Sequence, residues 1–96
     1  MRSAYQACMR RIVFAKAALK ALRRLDPVTT RRIRAAIDAY AADPTHFTGD
    51  VKALRGGEGL VRVRVGGWRI LLSDDGIVVA VEMIGVRGSV YRSLNR

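Results

Sequence analysis

Leu60–Arg69 reads Leu-Val-Arg-Val-Arg-Val-Gly-Gly-Trp-Arg, and the chain continues Ile70-Leu71-Leu72. Val61, Val63 and Val65 alternate with Arg62 and Arg64, the period of a strand with one dry and one wet face. Gly66-Gly67 supplies a two-residue turn with the positive φ that glycine adopts without steric cost. With that turn, Val65 pairs with Trp68, Arg64 with Arg69, Val63 with Ile70 and Arg62 with Leu71. One face then carries Val61, Val63, Val65, Trp68, Ile70 and Leu72, and the other Arg62, Arg64 and Arg69. Like charges directly across a ladder are destabilising. Folding alone does not account for such a cluster, whereas an anionic ligand does.

Ninety-six residues, half of them hydrophobic, suit a single domain with one modest core, spanning residues 1–96. Lys plus Arg number 18 against 8 acids, a net charge of +10. That excess points to a polyanionic partner: nucleic acid, the ribosome, an acidic protein or an anionic membrane surface. The longest apolar run, Ile77–Val81, is too short to span a bilayer. Early arginines without a continuous apolar stretch do not make a signal peptide. A lone cysteine, Cys8, forms no intramolecular disulfide and suits a reducing compartment, so the cytoplasm is expected.

Residues 1–8 lack periodicity and are expected to be a loosely ordered extension. Arg11–Phe14 reads as a short strand. From Ala15 the period turns helical, with Ala18, Leu19, Leu22 and Leu25 on one stripe. Asp26-Pro27 is a break and restart, Asp26 as N-cap and Pro27 at the first helical position. Thr30, Ile33, Ile37 and Tyr40 form the apolar side of a second helix, which ends near Asp43-Pro44. The short break predicts an antiparallel helix pair. Thr45–Asp50 reads as a polar loop, and the glycines at 56, 57 and 59 as a sharply turned segment.

Asp74-Asp75-Gly76 is a second turn signal, leading into Ile77–Ile84. A two-residue Asp75-Gly76 turn sets Val79, Val81 and Met83 beside Leu72, Ile70 and Trp68, and Glu82 across from Arg69. Slipping by one residue would bury Glu82 against Trp68 without a partner. The predicted architecture is α+β: a strand, an antiparallel helix pair, then an antiparallel three-stranded meander with the helices on its dry face. The opposite face stays open, lined by Arg62, Arg64, Arg69 and Glu82. Gly85 and Gly88 bracket Arg87, which they allow to be aimed back at that face, with Tyr91 four residues on.

Three ordered segments carry a resemblance: Lys-x-Leu-Arg-Gly at Lys52–Gly56, Leu-x-Arg-x-Arg-x-Gly-x-Trp-Arg at Leu60–Arg69, and Gly-x-Arg-x-x-x-Tyr-Arg at Gly85–Arg92. Ala-Leu-Lys-x-Leu at Ala18–Leu22 and the Asp43-Pro44 helix ending also fit. The set resembles the RelE/ParE family of toxins from bacterial toxin–antitoxin pairs, over residues 9 to 92. The resemblance implies a β-α-α-β-β-β fold, no cofactor and no metal. RelE-like members are implied to be ribosome-dependent mRNA endonucleases silenced by a cognate antitoxin; ParE-like members are implied to act on DNA gyrase. On the RelE pattern, Arg69 and Arg87 match positions that hold the scissile phosphate. Arg62 matches a basic site position and Tyr91 the tyrosine associated with the site. Arg64, Lys52, Arg55 and Arg92 are further candidates for RNA phosphate contacts. Leu60 departs from the pattern, standing where the best-known active site has another basic residue; Gly67 and Gly88 replace a frequent Asp and a frequent second arginine.

The residues suit that chemistry. RNA is cut when its own 2′-OH attacks the neighbouring phosphate, so a protein must position the backbone, stabilise the phosphorane and assist proton transfer. Arginine forks fit the phosphate, but arginine is a poor general base. Tyr91, with a free pKa of about 10, is the candidate for proton transfer or base stacking. Coexistence of Arg62, Arg69, Arg87 and Tyr91 favours an endonuclease over a gyrase inhibitor or a non-catalytic nucleic-acid-binding domain. The positive charge implies an antitoxin with an acidic or mixed acidic-apolar segment. Elsewhere the simpler roles prevail: Trp68, Tyr40 and Phe14 as core, His46 as an exposed loop residue without metal partners, Asp74-Asp75 as turn chemistry, and the helical lysines and arginines as a solvated surface.

Overall fold

The Asp26-Pro27 pair divides the helical half of the chain. In the computed structural model, which describes residues 10–54 and 59–86, helix α1 spans Lys16–Arg23 and helix α2 spans Pro27–Ala42. Asp26 is the N-cap of α2. Its carboxylate accepts the Thr29 hydroxyl at 2.6 Å and the Thr29 amide at 3.0 Å. Those two bonds hold the carboxyl below its ordinary range. Ile33, Ile37, Tyr40 and Ala41 make the buried side of α2, and Ala18 and Leu22 that of α1. Leu19, expected on the same stripe, is 37% exposed instead. After α2, the Asp43 carboxylate caps a 3₁₀ turn at Pro44–His46.

Strands β1 (Arg11–Phe14), β2 (Asp50–Ala53), β3 (Leu60–Val65), β4 (Trp68–Asp74) and β5 (Val78–Val86) form one sheet in the order β1-β5-β4-β3-β2. The α+β arrangement holds, with the helix pair on one face of the sheet. Two details go beyond the expectation. A strand, β2, pairs antiparallel with β3, and β1 runs parallel to β5, so the sheet is mixed.

The β3–β4 hairpin has the register that the alternation requires: Val65 opposite Trp68, Arg64 opposite Arg69, Val63 opposite Ile70 and Arg62 opposite Leu71. Gly66 has φ +60° whereas Gly67 has no positive φ, the pattern of a type II′ turn rather than two left-handed residues. The β4–β5 register differs from the expected one. Asp74 pairs with Val79 and Leu72 with Val81, and after an irregularity at Leu71/Leu72 the pairs become Leu71–Met83, Ile70–Ile84, Arg69–Gly85 and Trp68–Val86.

Two causes act together. The Asp74 carboxylate accepts the Gly76 amide, and the Asp75 carboxylate accepts the Ile77 and Val78 amides, so side chains hold a loop wider than two residues. A bulge then adds one residue to β5 near Glu82. Glu82 is therefore not across from Arg69; its carboxylate accepts the Ser73 hydroxyl at 2.9 Å. Met83 lies opposite Leu71 rather than Trp68.

The main core lies between sheet and helices: Val63, Ile70, Leu72, Val79, Val81 and Ile84 against Ala18, Leu22, Ile33, Ile37, Tyr40 and Ala41. Trp68 and Phe14 pack against it half-buried. Leu71 is buried but lies outside that core, on the opposite face, across the ladder from Arg62.

Candidate functional site

Strand alternation puts cross-strand rows of side chains on the sheet face away from the helices. One row runs Asp50–Arg64–Arg69–Gly85 and the next Lys52–Arg62–Leu71–Met83. The structure thus brings Lys52, Arg62, Arg64 and Arg69 together. Arg87, Tyr91, Arg92 and Arg55 lie outside the described residues, as does the expected extension at 1–8.

The four cations are not equivalent. Asp50 Oδ1 accepts Arg62 Nη2 at 2.8 Å, and Asp50 Oδ2 takes Arg64 Nε at 2.9 Å. The Arg62 side chain is only 14% exposed, and its buried Nε meets no hydrogen-bond acceptor among the described residues. Lys52 is exposed on the edge strand. Arg69 is half-buried opposite Arg64, and among the described residues no hydrogen bond or ion pair engages its guanidinium. Gly85, across from it on β5, has no side chain to cover it. An electropositive position that no carboxylate among the described residues neutralises, with Arg64 directly across the ladder, is suited to an anion.

Asp50, which reads as loop in the sequence, joins the site only through its pairing with Arg64, and nothing in the local pattern signals that pairing. The repulsion that the alternation implied between Arg62, Arg64 and Arg69 is in part answered internally, by this carboxylate. Leu71 is a further addition. It is a fully buried apolar side chain on this face, paired across the ladder with Arg62.

At the other end of the sheet, Asp74 is a structural hub. Its carboxylate takes Arg10 Nε at 3.0 Å and the Tyr40 hydroxyl at 2.8 Å, besides the Gly76 amide. Burial alone would raise the Asp74 pKa, but the Gly76 amide, Arg10 and Tyr40 outweigh it and the carboxyl lies below its ordinary range. Burial, with the Asp74 bond, pushes the Tyr40 hydroxyl up to about 12. An open depression of about 420 Å³ lies nearby, lined by Gly59, Ser73, Asp74, Asp75, Val78 and Ala80. Its acidic lining makes it a poor receptor for phosphate. His46 is an exposed loop residue paired with Asp43, and among the described residues no group of three or more His, Cys, Asp or Glu side chains could hold a metal ion. Among those residues, no helix is long and apolar enough to cross a membrane.

No protein-family model and no curated protein sequence matches the chain. Solved structures do. The RelB–RelE antitoxin–toxin complex from Methanococcus jannaschii matches at a TM-score of 0.70 and 24% identity, covering 84% of this chain and 96% of that one. The archaeal RelE–RelB complex from Pyrococcus horikoshii OT3 matches at 0.70 and 26%, covering 83% and 97%. A mutant E. coli toxin RelE in the free state matches at 0.72 and 21%, covering 88% and 92%. This is the RelE fold. The RelE-like sheet presents its arginine face away from the helices, so the residues that hold the fold together and those free to meet a ligand occupy opposite sides. Among the described residues Arg62, Arg69 and Leu71 blur the division, two half-buried cations and a buried apolar side chain on the open face.

Proposed function

We propose that this chain is a RelE-like toxin of a toxin–antitoxin module, an endoribonuclease that cleaves mRNA on the ribosome and so inhibits translation. The observation that carries this reading is Arg69 on a RelE-type sheet: a guanidinium with no carboxylate partner among the described residues, facing the open side between Arg64 and Gly85. Several solved neighbours are RelE toxins in complex with RelB antitoxins, which supports a cognate antitoxin as partner, here with an acidic or mixed acidic-apolar segment.

In this mechanism Arg69 and Arg87 hold the scissile phosphate while the RNA 2′-OH attacks it. Their charge stabilises the dianionic phosphorane, where the stabilisation counts most for rate. Arg62 and Tyr91 assist attack or protonation of the leaving 5′-oxygen. Lys52, Arg64, Arg55 and Arg92 draw in flanking phosphates, a contribution that weakens with salt. No metal and no cofactor is required, because the nucleophile belongs to the substrate. The site of action is the cytoplasm, with mRNA and rRNA as contacts.

The test is cleavage of mRNA on programmed ribosomes by the native chain and by Arg69→Ala, with naked RNA in parallel. Cutting in the ribosomal A site should fall by about 10²-fold or more in the variant, the usual cost of losing a transition-state charge contact, while its melting temperature stays near that of the native chain. Intact mRNA with folded, antitoxin-free protein, together with inhibition of DNA gyrase supercoiling, would move the assignment to a ParE-like role. Intact mRNA without gyrase inhibition would leave a non-catalytic nucleic-acid-binding domain.

A further inference from the structure

The two oxygens of Asp50 are divided between two arginines, Oδ1 to Arg62 and Oδ2 to Arg64. That is the way two non-bridging oxygens of a phosphodiester engage neighbouring guanidinium groups. Asp50 opens edge strand β2 directly opposite Arg64, with its side chain 41% exposed. Its pair with Arg64 joins two exposed side chains, and exposed ion pairs of this kind contribute little to stability. Arg62, by contrast, is held at 14% exposure and retains an unmet Nε donor. Arg62 is the held member of the trio, whereas Arg64 and Asp50, at 47% and 41% exposure, lie at the surface.

We propose that Asp50 is a built-in competitor for RNA phosphate: its carboxylate occupies the phosphate position between Arg62 and Arg64, and RNA engages that pair only by displacing it. This rests on the endoribonuclease reading for its substrate class and adds a specificity-determining residue to it. The logic is one of selectivity. A chain of net charge +10 attracts any polyanion, and most of that attraction carries no information. Asp50 leaves Arg69 open while closing the adjacent pair to a lone phosphate. RNA held so that consecutive phosphates reach Arg69 and the pair together displaces it.

The experiment measures binding of a short single-stranded RNA carrying 2′-O-methyl groups throughout, which the protein cannot cleave, by fluorescence anisotropy across a salt series. Asp50→Asn should tighten binding by about threefold to tenfold at low salt and steepen the log K against log salt slope by about 0.7, one further phosphate contact on a single strand. Asp50→Glu, which keeps the charge, should stay near the native affinity. In an Arg62→Gln/Arg64→Gln background the same Asp50→Asn change should gain nothing, because the masked pair is gone.

Unchanged or weaker binding by Asp50→Asn, with a native-like melt, overturns the proposal and leaves Asp50 a support for the two arginines. A gain that persists without those arginines overturns it too, as a mere change in overall charge. Should Asp50→Asn melt early, Asp50→Ser serves for the same comparison. Ribosomal cleavage by the native chain is scored separately. Cleavage without an Asp50→Asn gain defeats the competitor alone; the gain without cleavage defeats the enzymatic reading alone.

Discussion

Tyr40→Phe isolates the bond that ties helix α2 to the end of β4. The Tyr40 hydroxyl donates to Asp74 Oδ2 at 2.8 Å, Tyr40 is 6% exposed, and the Asp74 side chain is 10% exposed. A hydrogen bond to a charged group contributes about 1.5–3 kcal/mol. Asp74 keeps Arg10 and the Gly76 amide on its other oxygen, so the orphaned lone pair is partly compensated. The expected loss is about 2 kcal/mol, or a fall in melting temperature of roughly 8–16 °C for a domain of this length. Urea titration at pH 7 reads it directly.

The pH dependence gives an independent check. The folded Tyr40 hydroxyl has its pKa raised to about 12, above the value of about 10 in the unfolded chain. Its contribution is therefore complete below pH 10 and is lost between about 10 and 12, where the unfolded chain ionises first. The phenylalanine variant lacks that alkaline slope. The Asp74 carboxyl is shifted the other way, so its stabilisation is complete above the unfolded value of about 3.9 and disappears as pH falls below it. The gap between native chain and variant should accordingly be widest from pH 5 to 9 and narrow at both ends. A loss under about 0.5 kcal/mol at pH 7, or a gap that does not vary with pH, would refute the hub.

Gly59→Ala should cost more than Gly66→Ala by denaturant titration. Both glycines have positive φ, but a Cβ on Gly59 would meet the Asp74 carbonyl oxygen at 2.6 Å, whereas one on Gly66 meets nothing; the expected costs are about 3 and about 1 kcal/mol. Asp26→Ala removes the α2 cap and should cost about 1 kcal/mol, with Asp26→Ser restoring most of it. Leu71→Ala should cost about 3 kcal/mol even though Leu71 faces away from the main core, and a surface-like loss below about 0.5 kcal/mol would show that the open face has no apolar floor.

What the sequence reveals best is local. The β3–β4 hairpin is legible because one face of β3 is valine throughout and a two-glycine turn leaves a single register that keeps it dry. The α2 start is legible because Asp-Pro combines a cap with a proline that only a first turn accepts. The β4–β5 register is not, since Asp74-Asp75-Gly76 is compatible with a two-residue turn until the two carboxylates are seen bonding the amides of Gly76, Ile77 and Val78. Strand β2 has no apolar alternation of its own; its burial pattern is exposed throughout, and its pairing with β3 is what makes it a strand. Of the site, the cluster of Arg62, Arg64 and Arg69 follows from the hairpin register, whereas Asp50 enters through non-local pairing that no local pattern encodes.

The bulge in β5 shows why that non-local detail matters for the site. Continuing the pairing set by Leu72–Val81 without a bulge would put Glu82 opposite Leu71, Met83 opposite Ile70 and Ile84 opposite Arg69. Ile84 would then stand on the open face, where its side chain would cover the Arg69 guanidinium, and the longer Met83 would take its place in the core. The extra residue reverses both. Ile84 turns inward, 7% exposed, and the residue facing Arg69 becomes Gly85. Glu82 is left at the bulge, with Ser73 as its partner, on the far side of Leu71 from Arg69. One inserted residue in β5 thus removes an aliphatic cover from Arg69 and keeps the nearest β5 carboxylate away from it. Ile84 fills the core on the other face of the same strand, so the bulge that opens the arginine also fixes which side chain packs beneath the helices.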